Sequence, residues 1–198
     1  QSAGYRDINM ERDKISLLAL APHKGLHAPQ GVGLLLVRNA EVRPFRYGGT
    51  GTESAKPQPK ELPEALESGT LPTPAIAGLN AALKYHAENK DAHRKKLNGL
   101  FYYTLGELSK ISGVSLYTRK EFGGPVIAFC VRGMTSMEAG NILSDEYDIC
   151  VRCGLHCAPL AHKHYGTLKD GMVRAAVGVD NTPDEINFFL QAVTEIAR

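Results

Sequence analysis

The chain carries no apolar run near the length of a membrane-spanning helix, no signal-peptide pattern at its front, no internal repeat and no low-complexity tract. These absences exclude a membrane span, a solenoid and a disordered tail, and predict a soluble globular protein. Charge of one sign is also lacking. The formal net charge is only +2, with Lys and Arg scattered among Asp and Glu, so neither nucleic acid nor a membrane surface is an expected partner. A small molecule fits better. Cysteine is scarce. Three of the four fall between positions 150 and 157, a spacing that suits a site rather than a disulfide framework and predicts a reducing, cytoplasmic setting. The 198 residues, 43% of them hydrophobic, are enough to bury a core without such staples. The chain opens on Gln1 in polar text with no start signal, which predicts that it is the later part of a longer protein.

Two short apolar runs, ISLLAL (15–20) and GVGLLLVR (31–38), predict buried strands joined by a loop containing Gly and Pro, and Lys24 lies in that loop. Residues 43–72, rich in Gly, Pro, Lys and Glu, read as a long surface excursion that turns most sharply at GGTGTES (48–54). Thr73 and Pro74 then open a helix with Ile76, Leu79 and Leu83 on its apolar face, and helical composition continues with interruptions to about Lys110. Beyond Gly113 the text shortens into strands at VSLYT (114–118), PVIAFCV (125–131), YDICV (147–151) and MVRAAV (172–177). Capping boxes at Thr135/Glu138 and Thr182/Glu185 predict one helix to about Ser144 and a final one to the end. Residues 152–171 read as a loop. The expected organisation is α/β, with residues 1–99 forming one part and residues 100–198 a smaller α/β domain.

The densest reactive text is CVRCGLHCAPLAHKH (150–164), with three Cys and three His. It admits three readings. Cys150 and Cys153 have the spacing of zinc ligands, although no second pair completes a set. The same two residues form a CxxC redox pair if a helix starts there. Alternatively, Cys157 is a single nucleophilic thiol on a loop, with Arg152, His156, His162, Lys163 and His164 close enough in sequence to favour its thiolate. Cys130 and Cys150, set in apolar strands, suit buried structural roles. Lys24 follows an apolar strand and stands in PHKGLHAPQGVG, where small residues let a planar ligand approach the backbone. A lysine so placed suits chemistry at its amine. Arg174 in MVRAAV points outward as a surface charge or inward as a fork for a carboxylate.

Taken in order, QSAG, APHKG, PQGVG, GGTGTES, LESGTLPTPAIAGLNAAL, VRCGLHCAP and GMVRAAVGVDNTPDEINFF span nearly the whole chain. This set resembles the cysteine desulfurase and selenocysteine lyase family, pyridoxal-phosphate (PLP) enzymes of fold type I grouped with the class V aminotransferases. The resemblance implies the C-terminal portion of such an enzyme, with part of the large cofactor domain followed by the small α/β domain. It implies that Lys24 holds the cofactor through its amine and moves protons at the substrate carbon, that His23 lines the cofactor pocket, and that Gln1 hydrogen-bonds the cofactor's phenolic oxygen. Thr50 would lie near the phosphate of the neighbouring subunit's cofactor in a homodimer. Arg174 would hold the substrate carboxylate, and Cys157 would take sulfur from cysteine, or selenium from selenocysteine, for delivery to a sulfur-acceptor protein. Two departures matter. Ala21 stands where the family often has a hydroxyl that contacts phosphate, and the family's pyridine-pairing Asp, ring-stacking His and main phosphate loop have no counterpart in these residues. The chain alone is therefore expected to bind PLP poorly and to be inactive by itself. An aminotransferase lacking a loop thiol and a zinc-binding or interaction module built on residues 100–198 are the alternative expectations.

Overall fold

The computed structural model describes residues 1–49, 51, 55, 57–122 and 124–198, with Phe122 described by its backbone only. It divides into two compact units, Gln1–Lys90 and Asp91–Arg198.

In the first unit, strands β1 (Leu17–Leu20) and β2 (Leu34–Val37) pair antiparallel, with Leu17 opposite Val37 and Leu20 opposite Leu34. Sequence predicts two buried strands at these positions. The pairing is present but the burial is not: Leu17, Leu35 and Leu36 are exposed, because among the described residues the two strands have only each other as sheet neighbours. Among its described residues, the excursion that follows holds one short 3-10 turn, Glu64–Leu66, and it leads into helix α1, Thr73–Leu108.

Helix α1 runs through the boundary between the units. Its composition predicts interruptions, and Gly99 and Gly106 are each worth about 1 kcal/mol less than Ala in a helix interior. The helix nevertheless continues through both. Leu97, Leu100, Phe101, Thr104, Leu105 and Leu108 recur at helical spacing and are buried, and that packing outweighs the two glycines.

The second unit is a four-stranded antiparallel sheet in the order β3-β4-β6-β5, formed by β3 (Val114–Leu116), β4 (Val126–Val131), β5 (Arg152–Gly154) and β6 (Met172–Ala176). Helices α2 (Ser136–Tyr147) and α4 (Pro183–Ile196) join α1 in its core. Both predicted capping boxes are present: Thr135 Oγ1 accepts from the Glu138 amide and Thr182 Oγ1 from the Glu185 amide. The apolar run of β4 turns out to be one-sided. Ile127, Phe129 and Val131 enter the core, while Val126, Ala128 and Cys130 point to the other face. Phe129 and Phe189 meet edge to face with ring centroids 6.1 Å apart. Truncation of the wholly buried Phe129 to Ala is expected to lower the unfolding free energy by about 3–5 kcal/mol, seen as an earlier midpoint in urea denaturation.

Two sequence expectations need correction here. YDICV (147–151) is not a strand: α2 extends to Tyr147, Asp148 takes the left-handed cap (φ 54), and pairing starts only at Arg152. Residues 152–171 are not one loop, since they hold β5 and the short helix α3 (Pro159–Tyr165). The apolar letters of 147–151 mark a descent into the core rather than a ladder.

Candidate active site

Residues 21–28 form consecutive tight turns after β1. The Lys24 amide donates to the Ala21 carbonyl (3.2 Å), the His27 amide to Lys24 (3.0 Å) and the Ala28 amide to Pro22 (3.1 Å). Pro22, Gly25, Leu26 and Ala28 are buried beneath, whereas His23, Lys24 and His27 are exposed. The opening residues are pinned to this turn. A Cβ on Gly4 would collide with the Gly25 backbone, and one on Gly25 would collide with the Ala3 carbonyl and the Tyr5 ring, so only two glycines allow so close an approach. The structure thereby brings the segment bearing Gln1 against the turn bearing Lys24. The Lys24 ammonium has no hydrogen-bond or ion-pair partner among the described residues. An unengaged amine on a turn fixed by buried neighbours fits a cofactor held through an aldehyde. Lys24, with the exposed His23 and Gln1, would hold it. Thr50 lies outside the described residues.

Cys157 and Arg174 belong to the second unit. β6 alternates, with Val173 facing the core beside Phe129 while Met172 and Arg174 face the other side. Arg174 stands opposite Ala128 on β4 and Arg152 on β5. Two guanidinium groups thus share one sheet face, and like charges directly opposite each other are unfavourable unless an anion joins them. Neither arginine has an ion-pair partner among the described residues. The Arg174 Nε is buried and has no hydrogen-bond partner among them. Sequence left Arg174 undecided between a surface charge and a buried fork; in the structure it is half-buried on the face away from the core, and its terminal nitrogens have no carboxylate partner among the described residues. Arg152 entered the sequence reading only as a neighbour of the thiol. Its role as a second cation on this face is visible only once the strand register is known.

The turn after β5 carries the thiol. The Gly154 amide donates to Ser136 Oγ (3.1 Å), whose hydroxyl donates to the Asp170 carbonyl (2.7 Å), which ties the exit of β5 to the entry of β6. His156 (φ 51) and Cys157 (φ 58) then both adopt left-handed backbone, a conformation that costs each about 1–2 kcal/mol and that is held here by its surroundings. Cys157 is exposed. His156 is partly buried, with Nε2 3.0 Å from the Met172 carbonyl oxygen, and burial pushes its pKa below the ordinary value. His162, named in sequence as a neighbour of the thiol, is instead buried, with Nδ1 2.9 Å from Thr167 Oγ1.

The other cysteines differ. Burial pushes the Cys130 and Cys153 thiols up, toward the unreactive protonated form. Cys153 packs against Gly140 on the core side. Cys150, expected in sequence to be a buried strand residue, is instead exposed, because the chain there leaves α2 before β5 begins, and it lines a cleft of about 340 Å³ with Ile149, Val151 and Phe189. Among the described residues no three His, Cys, Asp or Glu side chains gather as a metal site.

The match to the model of the class V aminotransferases covers residues 1–189. The chain belongs to the class V aminotransferase family. Members of this family are PLP enzymes, and the α/β architecture found here is that of a fold type I PLP enzyme. Among the curated relatives, the chain is 27% identical to a probable cysteine desulfurase of Methanothermobacter thermautotrophicus, over 100% of this chain and 51% of the relative. It is 30% identical to a cysteine desulfurase of Salmonella agona, over 100% of this chain and 50% of that one. The apo cysteine desulfurase of Thermococcus onnurineus superposes with a TM-score of 0.84 at 27% identity, covering 100% of this chain and 50% of that structure. The chain spans about half the length of the curated relatives it matches.

Proposed function

We propose that this chain supplies the cofactor lysine, the carboxylate clamp and the sulfur-accepting thiol of a PLP-dependent cysteine desulfurase. The observation that carries the reading is the half-buried Arg174 guanidinium on the open face of the sheet, with no ion-pair partner among the described residues, near a left-handed turn that holds the Cys157 thiol exposed. A clamp for a carboxylate and an accessible thiol, presented by adjoining segments, are what removal of sulfur from an amino acid requires. A transaminase needs the clamp but not the thiol.

In this reading the first unit contributes to the cofactor-binding part and the second forms the small domain. When bound, PLP supplies an electron sink for the substrate's α-carbon. The Lys24 amine holds the cofactor and moves the proton at that carbon. Arg174 grips the carboxylate of cysteine or selenocysteine through paired N–H groups and so fixes where the substrate sulfur points. Cys157 forms an S–S bond to that sulfur as the substrate's C–S bond breaks, which leaves a persulfide on the enzyme and alanine as the other product. The persulfide then passes to a sulfur-acceptor protein. Assembly is proposed as a homodimer in the cytoplasm; among the described residues no helix is long and apolar enough to cross a membrane.

Arg174 is the direct test. Replacing it by Leu in the PLP-loaded protein is expected to raise the KM for L-cysteine about tenfold to a hundredfold, the loss of a charge-assisted hydrogen-bonded pair of about 1.5–3 kcal/mol. An unchanged KM in steady-state kinetics would show that the carboxylate is held elsewhere.

A further inference from the structure

Two buried polar atoms of the second unit have no hydrogen-bond partner among the described residues, and they are complementary. His156 Nε2 lies 3.0 Å from the Met172 carbonyl oxygen. A carbonyl oxygen only accepts, so Nε2 carries the proton and Nδ1 is left with a bare lone pair. That Nδ1 is buried and unmatched. Arg174 Nε–H is a donor, also buried and unmatched. The two groups are gathered at one strand. Met172, whose carbonyl orients the imidazole, and Arg174 are two residues apart on β6, and the Arg174 charge acts on His156.

We infer that His156 is the positioning residue for Arg174, its Nδ1 accepting the Arg174 Nε–H when the two terminal nitrogens of the guanidinium grip a carboxylate. The inference rests on the reading of Arg174 as the clamp. A guanidinium that offers its outer edge to a ligand leaves Nε–H pointing back into the protein, where it needs an acceptor that carries no proton. A neutral imidazole anchored through its other nitrogen is such an acceptor. The left-handed backbone at His156 and Cys157 lets one turn serve both functions: the imidazole reaches back to β6 while the thiol next to it stays exposed.

The charge state follows from the surroundings. The groups facing His156 are Arg174 on β6, Arg152 on β5 and His162 on α3, whose ring centroid is 5.9 Å away. Burial first, and then the Arg174 and Arg152 charges, against the raising effect of the Met172 hydrogen bond, hold His156 below its usual pKa. Above that depressed value Nδ1 accepts. As pH falls through it, Nδ1 gains a proton, becomes a donor facing another donor, and the grip loosens.

The test uses the 198-residue chain, labelled with nitrogen-15, and L-alanine as the probe. The Arg174 Nε–H resonance is followed through titrations from about pH 8 to about pH 5, across the imidazole range. In the native chain the affinity should fall as the His156 ring protonates. His156→Leu, which can neither donate nor accept, should weaken binding at least about tenfold at neutral pH. His156→Gln, whose amide can donate to Met172 and accept from Nε–H, should restore most of the affinity and abolish the acid fall. Native affinity in His156→Leu, with binding lost in Arg174→Ala, overturns the role of His156 alone. Native binding by Arg174→Ala overturns the clamp and the inference together. The native chain is informative even without a variant, because affinity that stays constant while His156 titrates also overturns the inference.

Discussion

Replacement of Cys157 by Ala is expected to abolish sulfur removal from cysteine, a loss on the order of 10³-fold or more, as for removal of other catalytic nucleophiles. Transamination, which needs no thiol, is spared. The split follows from how the fold treats its thiols. Cys130 and Cys153 are pushed toward the protonated form by burial, and Cys150 opens onto a cleft lined by Ile149 and Phe189 rather than onto the arginine face. Only Cys157 is both exposed and carried on the turn that reaches Met172 through His156. Sulfide and alanine assays on the PLP-loaded variant check the prediction. Sulfide release at the native rate would transfer the role to another group.

Replacement of Lys24 by Ala is expected to remove the borohydride-reducible link between protein and cofactor and to lower turnover about 10²–10⁴-fold, the range set by loss of a positioned acid–base group. Stability should change by no more than about 0.5 kcal/mol, because the ammonium is exposed and engages no described neighbour. Urea denaturation therefore separates loss of chemistry from loss of fold. A variant that still forms the reducible link would place the cofactor on a different amine.

The parts of the fold that were legible in sequence were those set by local chemistry. Thr135/Glu138 and Thr182/Glu185 announce helix starts because the capping side chain and the amide it receives are three residues apart in the chain itself. Lys24 stood out because small and turn-forming residues surround it, and the structure places it on such a turn. What sequence could not reveal depends on long-range packing. The strand expected at 147–151 is a descent from α2 into the core, and apolar letters read alike in both cases. Helix α1 runs unbroken through Gly99 and Gly106 because its buried face meets a core assembled from β4, β6 and α4. The pairing of Arg152 with Arg174 depends on register, which no local spacing encodes. The alternation of β6 puts Arg174 on the face away from Phe129, a placement that no local spacing in the sequence decides.

Each unit holds its own group of candidate residues, on the Lys24 turn in the first and on the open face of the small sheet in the second, and each group is fixed by close approaches within its unit. Gly4 against Gly25 secures the first, and Ser136 between Gly154 and Asp170 secures the second.

Transfer of substrate sulfur to Cys157 is the step on which the proposed chemistry depends most. The decisive measurement incubates the PLP-loaded protein with L-cysteine bearing a heavy sulfur isotope, caps all thiols, and locates the label by peptide mass spectrometry. The heavy sulfur is expected as a persulfide on Cys157 and is expected to be absent from Cys130, Cys150 and Cys153. Alanine production with no label on Cys157, or with the label on Cys150, would contradict that assignment.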